Sequence, residues 1–417
     1  MRSDNIKFKD IAWNTMGTVT YAAISLLLSV AIINMTGSIE GGIFSFGFST
    51  LARFVFIISF FGIRPLHIVD IKYRFSFLDY KKFALKTATL AAIFGIAYVS
   101  ARYLLGTYTN IKMVLLVILI LHGAIDGYAD CYESEYQRVN KLYLGGQSQF
   151  FRIVLFALTL ITTLYFTNNL LVSEITALVV EVIAFYMLNI KRSAGIFKTA
   201  KLNASNDKKC SLYKEAFPLF IIVFLDMFIF SASKFSVDAN LSDEFSGFFN
   251  LVFMPTNIIY LIMTLFMKPI LTPLSNAYHS DKSLYNKILS KILILAFLIS
   301  ALTLAGAYLF GSIYIDIIFF LTGNVYVDLI DISKNILMIV MLGGAFYTLT
   351  TPMYFSLIIE NKQNHLLVVY IVDAVVSLFM SMYFVLKLGI YGAAICFSLS
   401  MFLLFVGIVI LKALNNK

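Results

Sequence analysis

Near the end of the chain, two apolar stretches are separated only by Lys387 and Leu388: HLLVVYIVDAVVSLFMSMYFVL (residues 365–386) and GIYGAAICFSLSMFLLFVGIVIL (residues 389–411). Each is long enough to cross the hydrocarbon core of a bilayer as a helix, which needs about 20 apolar residues. Helices are the expected structure because an open strand cannot satisfy its backbone hydrogen bonds in lipid. This pair therefore predicts a helical membrane protein.

The composition of the whole chain agrees with this prediction. Of the 417 residues, 60% are apolar and 13% are charged, whereas a soluble protein carries about 25% charged residues. This composition excludes a soluble enzyme. Ten further apolar stretches complete a set of twelve predicted spans, and they lie near 11–33, 42–61, 83–105, 113–132, 144–167, 170–190, 215–235, 245–267, 285–310 and 333–357.

The basic residues between the spans predict how the chain is oriented. Of the 32 Lys and Arg residues, 25 lie in the connections on the side of the N-terminus, and only four lie on the other side. Lys and Arg are retained on the cytoplasmic side of polytopic proteins. We therefore expect both termini to be cytoplasmic, and the net charge of +9 to reflect orientation rather than binding to nucleic acid.

The longest predicted cytoplasmic connection divides the spans into two groups of six. The sequence thus predicts an N-terminal six-helix lobe (residues 1–190), a cytoplasmic linker (residues 191–214) and a C-terminal six-helix lobe (residues 215–417). Because six is even, both halves enter the membrane from the same side, as in a parallel repeat.

Three of the cations within or at the end of predicted spans are candidate binding residues: Arg53 near the middle of the second, Arg152 in the inner part of the fifth, and Lys234 at the outer end of the seventh. A charge at bilayer depth costs at least about 2.5–3.5 kcal/mol unless it is paired, hydrated or near an end. Arg53 either pairs with a carboxylate or lines a cavity that binds an anionic substrate, and the match of guanidinium to phosphate favours the cavity. Arg152 either reaches the cytoplasmic surface or lines that cavity. Lys234 has the position of an ordinary anchor, but composition does not decide its role.

The fourth span carries a polar stripe. His122, Asp126 and Asp130 are spaced by four residues, and this spacing places them on one face of a helix. Such a stripe has to face protein or water. One interpretation is a relay for protons or cations, which Asp and His chains form in transporters; the other is that these acids balance Arg53 and Arg152.

Motifs for catalysis or cofactor binding are missing from the sequence. Cys131, Cys210 and Cys396 are scattered, which indicates neither a disulfide framework nor a metal site. The sequence has no Walker A run and no HExxH motif, and the external connections are too short for a catalytic domain. We expect no cofactor, no metal and no enzymatic activity.

Several segments are similar to a known family. They are GIRPLHIVDIK (62–72), FSFLDY (75–80), DGYADCYESEYQR (126–138), GQSQFFR (146–152), FPLF (217–220), SKFSVD (233–238), FMP (253–255) and KPILT (268–272). The sequence resembles the bacterial polysaccharide repeat-unit (Wzx-type) flippases of the multidrug, oligosaccharidyl-lipid and polysaccharide exporter superfamily.

The resemblance implies two lobes around a central cavity, working by alternating access in the bacterial cytoplasmic membrane. The implied substrate is an undecaprenyl-pyrophosphate-linked oligosaccharide repeat unit of O-antigen or capsule. It would be moved from the inner to the outer leaflet, with H⁺ or Na⁺ as the coupling ion. Arg53, Arg152 and Lys234 would bind the pyrophosphate or an acidic sugar. Polysaccharide polymerase and glycosyltransferases of the same pathway would be partners.

Two other functions remain open from the sequence. A multidrug cation antiporter of the same superfamily would need acidic and aromatic cavity walls, which the mid-span Arg53 disfavours. A polysaccharide polymerase-type membrane enzyme would need a large external loop, and the longest external connection has only about 20 residues.

Overall fold

The computed structural model describes residues 8–70, 74–197 and 209–415, and this part of the chain is almost entirely helical. The α-helices are α1 (Phe8–Phe46), α2 (Ala52–Phe60), α3 (Arg64–Val69), α4 (Phe77–Leu104), α5 (Asn110–Arg138), α6 (Leu142–Thr167), α7 (Leu170–Phe185), α8 (Arg192–Ala194), α9 (Lys209–Asn240), α10 (Asp243–Ser280), α11 (Lys282–Leu321), α12 (Ile330–Ile359) and α13 (Gln363–Asn415). Two π-helical turns, Gly47–Leu51 and Tyr186–Lys191, join α1 to α2 and α7 to α8.

The predicted spans all fall on these helices. Nine helical segments of the described ranges are long and apolar enough to cross a membrane, and two of them, Ala12–Phe60 and Gln363–Leu414, each hold two predicted spans. The predicted eighth span, residues 245–267, lies within α10. The prediction of an all-α polytopic membrane protein with about twelve spans is confirmed.

A single residue, Gly37, reverses the chain between the first and second predicted spans. Its backbone angles are φ 84° and ψ −175° inside α1, a conformation that favours glycine. In a straight helix, residues eight apart are separated by about 12 Å. Here they touch, because a Cβ on Gly41 would lie against the Cα of Ile33. The first and second spans therefore form a helical hairpin without a loop.

The last two spans are joined in the same way. Gly389 has φ 58° and ψ −133° inside α13. A Cβ on Gly392 would overlap the carbonyl oxygen of Phe384, again eight residues away. This second hairpin is formed by the two stretches, residues 365–386 and 389–411, that predicted the fold.

Polar residues in the connections start several of the other helices. The side chains of Ser76, Thr109, Asn169, Ser242 and Asp281 each accept a hydrogen bond from a backbone N–H in the first turn of α4, α5, α7, α10 and α11, respectively. Such caps contribute about 0.5–2 kcal/mol each. They set where the spans begin.

The chain divides into two compact units, Met1–Phe224 (unit 1) and Leu225–Lys417 (unit 2). The division falls within α9. The predicted linker, residues 191–214, lies partly outside the described residues, at 198–208. The lobe boundaries at 190 and 215 stay predictions.

Each unit is organised around one helix. In unit 1, α5 contacts α2, α4, α6 and α7, while α1 packs along α6. In unit 2, α12 contacts α10, α11 and α13. Because α5 is surrounded, the polar stripe that it carries faces protein and is buried.

Candidate functional site

The stripe on α5 is the centre of a buried group of charges in unit 1. His122, Asp126, Asp130 and Glu133 are each exposed by 6% or less. Three helical turns separate the first of them from the last. The partners of these side chains come from α3, α6 and α7, so the stripe links four helices.

His122 lies between two carboxylates and two aromatic rings. Its Nδ1 is 2.7 Å from Oε2 of Glu181 on α7, and its Nε2 is 3.8 Å from Oδ2 of Asp126. The rings of Phe48 and Phe156 stack on the imidazole with centroids 5.3 and 4.5 Å away. Phe48 belongs to the π-helical turn Gly47–Leu51, and such turns often occur at functional sites.

Arg152, on α6, pairs with the acids of the stripe. Its Nη2 lies 2.7 Å from Oδ1 of Asp126, and its Nη1 lies 3.3 Å from Oε1 of Glu133. Asn189, in the second π-helical turn, contacts the same guanidinium at 3.5 Å and accepts a hydrogen bond of 2.6 Å from Ser148. The acids of the stripe thus balance the charge of Arg152, which is one part of the second interpretation of the stripe.

The positive and negative charges of this cluster do not balance. Arg152 and, if protonated, His122 supply at most two positive charges against the three carboxyl groups of Asp126, Glu133 and Glu181. Uncompensated charge in a protein interior costs several kcal/mol. The cluster therefore needs at least one further proton or cation to balance its charge.

Three of these residues offer atoms that could bind a metal ion. Ligand atoms of His122, Asp126 and Glu181 lie within 4.8 Å of one another. However, the guanidinium of Arg152 already contacts Asp126, and both ring nitrogens of His122 face carboxylates. This donor set suits the exchange of protons better than the binding of a metal ion.

Asp130 belongs to a second ion pair, nearer to α3. Its carboxylate pairs with the guanidinium of Arg64 and accepts a hydrogen bond of 3.3 Å from Ser134. The Arg64 side chain is 28% exposed and also contacts Gln137 at 3.3 Å. The three predicted ion-coupling residues are therefore divided between an interior cluster and a pair that reaches the surface.

The segment after α2 is held against α5 by buried charges. His67 Nε2 is 2.7 Å from Oε2 of Glu135, and Arg138 Nη2 is 2.7 Å from the same oxygen. Burial lowers the pKa of His67, so its imidazole is neutral and donates Nε2–H to Glu135. Since Arg138 already neutralises this carboxylate, the pair anchors α3 without a second positive charge.

The structure places the three predicted binding cations in different surroundings. Arg53 is exposed at the start of α2, and no carboxylate in the described part of unit 1 forms a salt bridge with it. Its charge and that of Asp126 both act on the hydroxyl of Tyr21. Lys234 is buried in unit 2, with Nζ 3.9 Å from the ring centroid of Phe253.

Unit 2 has polar groups of its own. Asp226 accepts hydrogen bonds from the hydroxyls of Tyr347 (2.7 Å) and Tyr370 (3.0 Å). Asp373 is 4% exposed, and neither carboxylate oxygen has a hydrogen-bond partner among the described residues. At the end of α13, Lys412 pairs with Glu360.

Sequence reasoning missed several of these contacts. Glu181 and Asp226 each lie singly within a predicted span, and the sequence does not indicate which side chains they contact. The signal for Glu181 was its position in a span beside the stripe, because an intramembrane acid requires a partner. The role of Arg64 had no signal, since it resembles the other cytoplasmic cations.

Sequence comparison identifies no relative: no family model matches the chain, and no curated protein matches it. Several solved structures do match the chain. The MATE multidrug transporter DinF-BH, solved as a complex, has a TM-score of 0.70 at 14% identity, covering 99% of this chain and 97% of that one. The lipid II flippase MurJ in an inward closed conformation has a TM-score of 0.66 at 15% identity, covering 97% and 87%.

A third similar structure is an inward-facing multidrug resistance MATE family transporter of the MOP superfamily, with a TM-score of 0.65 at 12% identity over 98% of this chain and 99% of that one. All three are named as transporters or flippases, and at these identities the likeness shows the fold alone. The chain is a multi-pass membrane protein with the fold of the MOP-superfamily transporters.

Proposed function

We propose that this protein is a flippase that moves undecaprenyl-pyrophosphate-linked oligosaccharide repeat units from the inner to the outer leaflet by alternating access. The observation that carries the proposal is Arg53: an exposed guanidinium within a membrane span, with no salt bridge to a described residue of unit 1. An ionisable side chain within a membrane span marks a functional site, and for an arginine the ligand is an anion.

The chemistry of the substrate fits such a group. A guanidinium binds phosphate oxygens through two parallel hydrogen bonds, so Arg53 is suited to a pyrophosphate or an acidic sugar. The lipid tail stays in the bilayer while the polar head crosses within protein, because charge in hydrocarbon is costly. Similarity to a structure named as a lipid II flippase supports this function.

Arg152 and Lys234 are proposed as further binding cations. Arg152 is held by Asp126 and Glu133 in this structure, so it becomes available to an anion only after protons neutralise these acids. Lys234 lies against an aromatic ring and would contribute from unit 2.

We propose the cluster around Asp126, Asp130 and His122 as the ion-coupling site. With Glu133 and Glu181 it holds four carboxyl groups, against the two guanidinium groups of Arg64 and Arg152 and the imidazole of His122. An Asp126→Asn/Asp130→Asn variant is expected to lose the dependence of transport on the ion gradient, measured in reconstituted vesicles. Asp328→Asn/Asp331→Asn removes the same charge from exposed acids and should transport normally. Unchanged gradient dependence in the first variant would eliminate this site.

The proposed function is tested by analysing lipid-linked oligosaccharides on both leaflets of cells depleted of the protein. We expect complete repeat units to accumulate on the cytoplasmic side. Arg53→Ala should reproduce this accumulation, and Arg53→Lys should restore part of the transport because the charge remains. Normal intermediates after depletion would refute the flippase; complete but unpolymerised units outside would indicate a polymerase.

The alternative is a multidrug cation antiporter, supported by the similarity to the MATE multidrug transporter DinF-BH. The acidic cluster of unit 1 would then serve drug binding or coupling. Loss of drug resistance in Arg53→Ala or Asp126→Asn cells with unchanged surface polysaccharide would favour this alternative.

The proposal also implies a location and partners. The protein would act in the bacterial cytoplasmic membrane, in the biosynthesis of O-antigen or capsule. Glycosyltransferases would supply its substrate, and a polysaccharide polymerase would consume the translocated product.

A further inference from the structure

Unit 1 contains a further buried carboxyl group, that of Glu174, which lies outside the cluster around Asp126. Glu174, in the first turns of α7, is 0% exposed, and neither of its carboxylate oxygens has a hydrogen-bond partner among the described residues. The acids of the stripe and its partner on α7 differ from it, because Asp126, Asp130, Glu133 and Glu181 each contact a cation or a histidine. Burying an ionised carboxylate without such a partner costs several kcal/mol.

The segments around Glu174 carry other titratable groups. Helices α5 and α6 pack against α7, and the charged group that acts on Glu174 is another acid, Glu40, from the second half of α1. A like charge nearby favours the protonated form of a carboxyl group. The titratable groups on the facing segments are Glu40 on α1, Lys112 and His122 on α5, Tyr165 on α6 and Glu181 on α7 itself.

The position of Glu174 relates it to the ion cluster. Glu174 and Glu181 are seven residues apart, and this spacing places them on one face of α7 with a rise of about 10 Å between them. Glu181 contacts His122, whereas Glu174 lies towards the end of α7 that the positive-inside pattern places outside. Protons reaching the cluster from outside would meet Glu174 first.

We propose that Glu174 is a proton-binding site at the outer end of unit 1, separate from the cluster around Asp126. In the conformation described, Glu174 holds a proton on its carboxyl group. Its part in coupling rests on the proposed function, but the binding of the proton does not.

The test uses dicyclohexylcarbodiimide, an apolar reagent for protonated carboxyl groups in membranes. The acid O–H adds across a C=N bond of the reagent, with the proton going to nitrogen, and the O-acylisourea rearranges to a stable N-acylurea. The full-length protein in liposomes is labelled over a range of pH, and the peptide containing Glu174 is quantified by mass spectrometry. This measurement requires no transport substrate.

We expect label on Glu174 that falls as the pH is raised, and no label there in Glu174→Gln. Glu174→Gln should keep the thermal midpoint of the native protein, since an amide resembles the protonated acid. Glu40→Gln should move the loss of label to lower pH, and the exposed-acid control Asp331→Asn should not.

Three results would overturn the proposal. One is the absence of label on Glu174 at low pH in a folded protein that is labelled elsewhere. Another is a label that does not change with pH. The third is protection by Na⁺ at constant low pH, which would assign the site to a metal cation instead.

Discussion

Replacing Gly392 with alanine is expected to abolish the folded protein. The new Cβ would overlap the carbonyl oxygen of Phe384 across the hairpin at Gly389. Backbone atoms of two packed helices cannot move apart as a flexible side chain can. The cost should therefore exceed the about 1–3 kcal/mol that overpacking takes from an ordinary core. The measurement is the yield of monodisperse protein after detergent extraction.

Gly306→Ala is the matched control for this prediction. Gly306 lies within α11, and a Cβ there would meet no atom within 4 Å. Alanine also favours the helix by about 1 kcal/mol relative to glycine, so this variant should fold at least as well as the native protein. Equal yields of the Gly392 and Gly306 variants would show that the last two spans do not pack as closely as described.

Replacing Arg152 with methionine is expected to destabilise unit 1 by about 3–5 kcal/mol, because removing one partner leaves buried charge uncompensated. Asp126 and Glu133 would lose the guanidinium at 2.7 and 3.3 Å. Adding Asp126→Asn should recover part of this loss by removing one of the unpaired charges. Thermal unfolding in detergent measures each step.

Arg64→Met serves as the comparison. Its guanidinium also pairs with an acid of α5, but its side chain is 28% exposed, so water compensates part of the loss and the effect should be smaller. If Arg152→Met unfolds no more readily than Arg64→Met, or if Asp126→Asn makes the double variant worse, the buried pair does not hold α5 to α6.

The fold was predictable because lipid imposes strict limits on a sequence. Any stretch such as residues 365–386 has to become a helix, and its length is set by the bilayer. The two loopless hairpins were only partly visible: Gly389 was available as a boundary, whereas the backbone angles at Gly37 depend on how the two helices meet.

The pairing of charges was less predictable. Spacing by four residues placed His122, Asp126 and Asp130 on one face, and the structure confirms that this face is buried. The partners depend on which helices adjoin α5, and one sequence does not contain that information. Arg152 and Arg53 therefore looked alike, although one is enclosed by acids and the other is exposed.

The hairpin at Gly37 also bears on how the protein is made. With no loop between them, the first and second spans cannot be inserted into the membrane independently, since no hydrophilic connection separates the end of one from the start of the other. Ribosomes add about 5–20 residues per second, so the 49 residues of Ala12–Phe60 emerge within seconds. The pair should leave the insertion machinery as one unit, and unit 1 would begin assembly from a preformed helical hairpin.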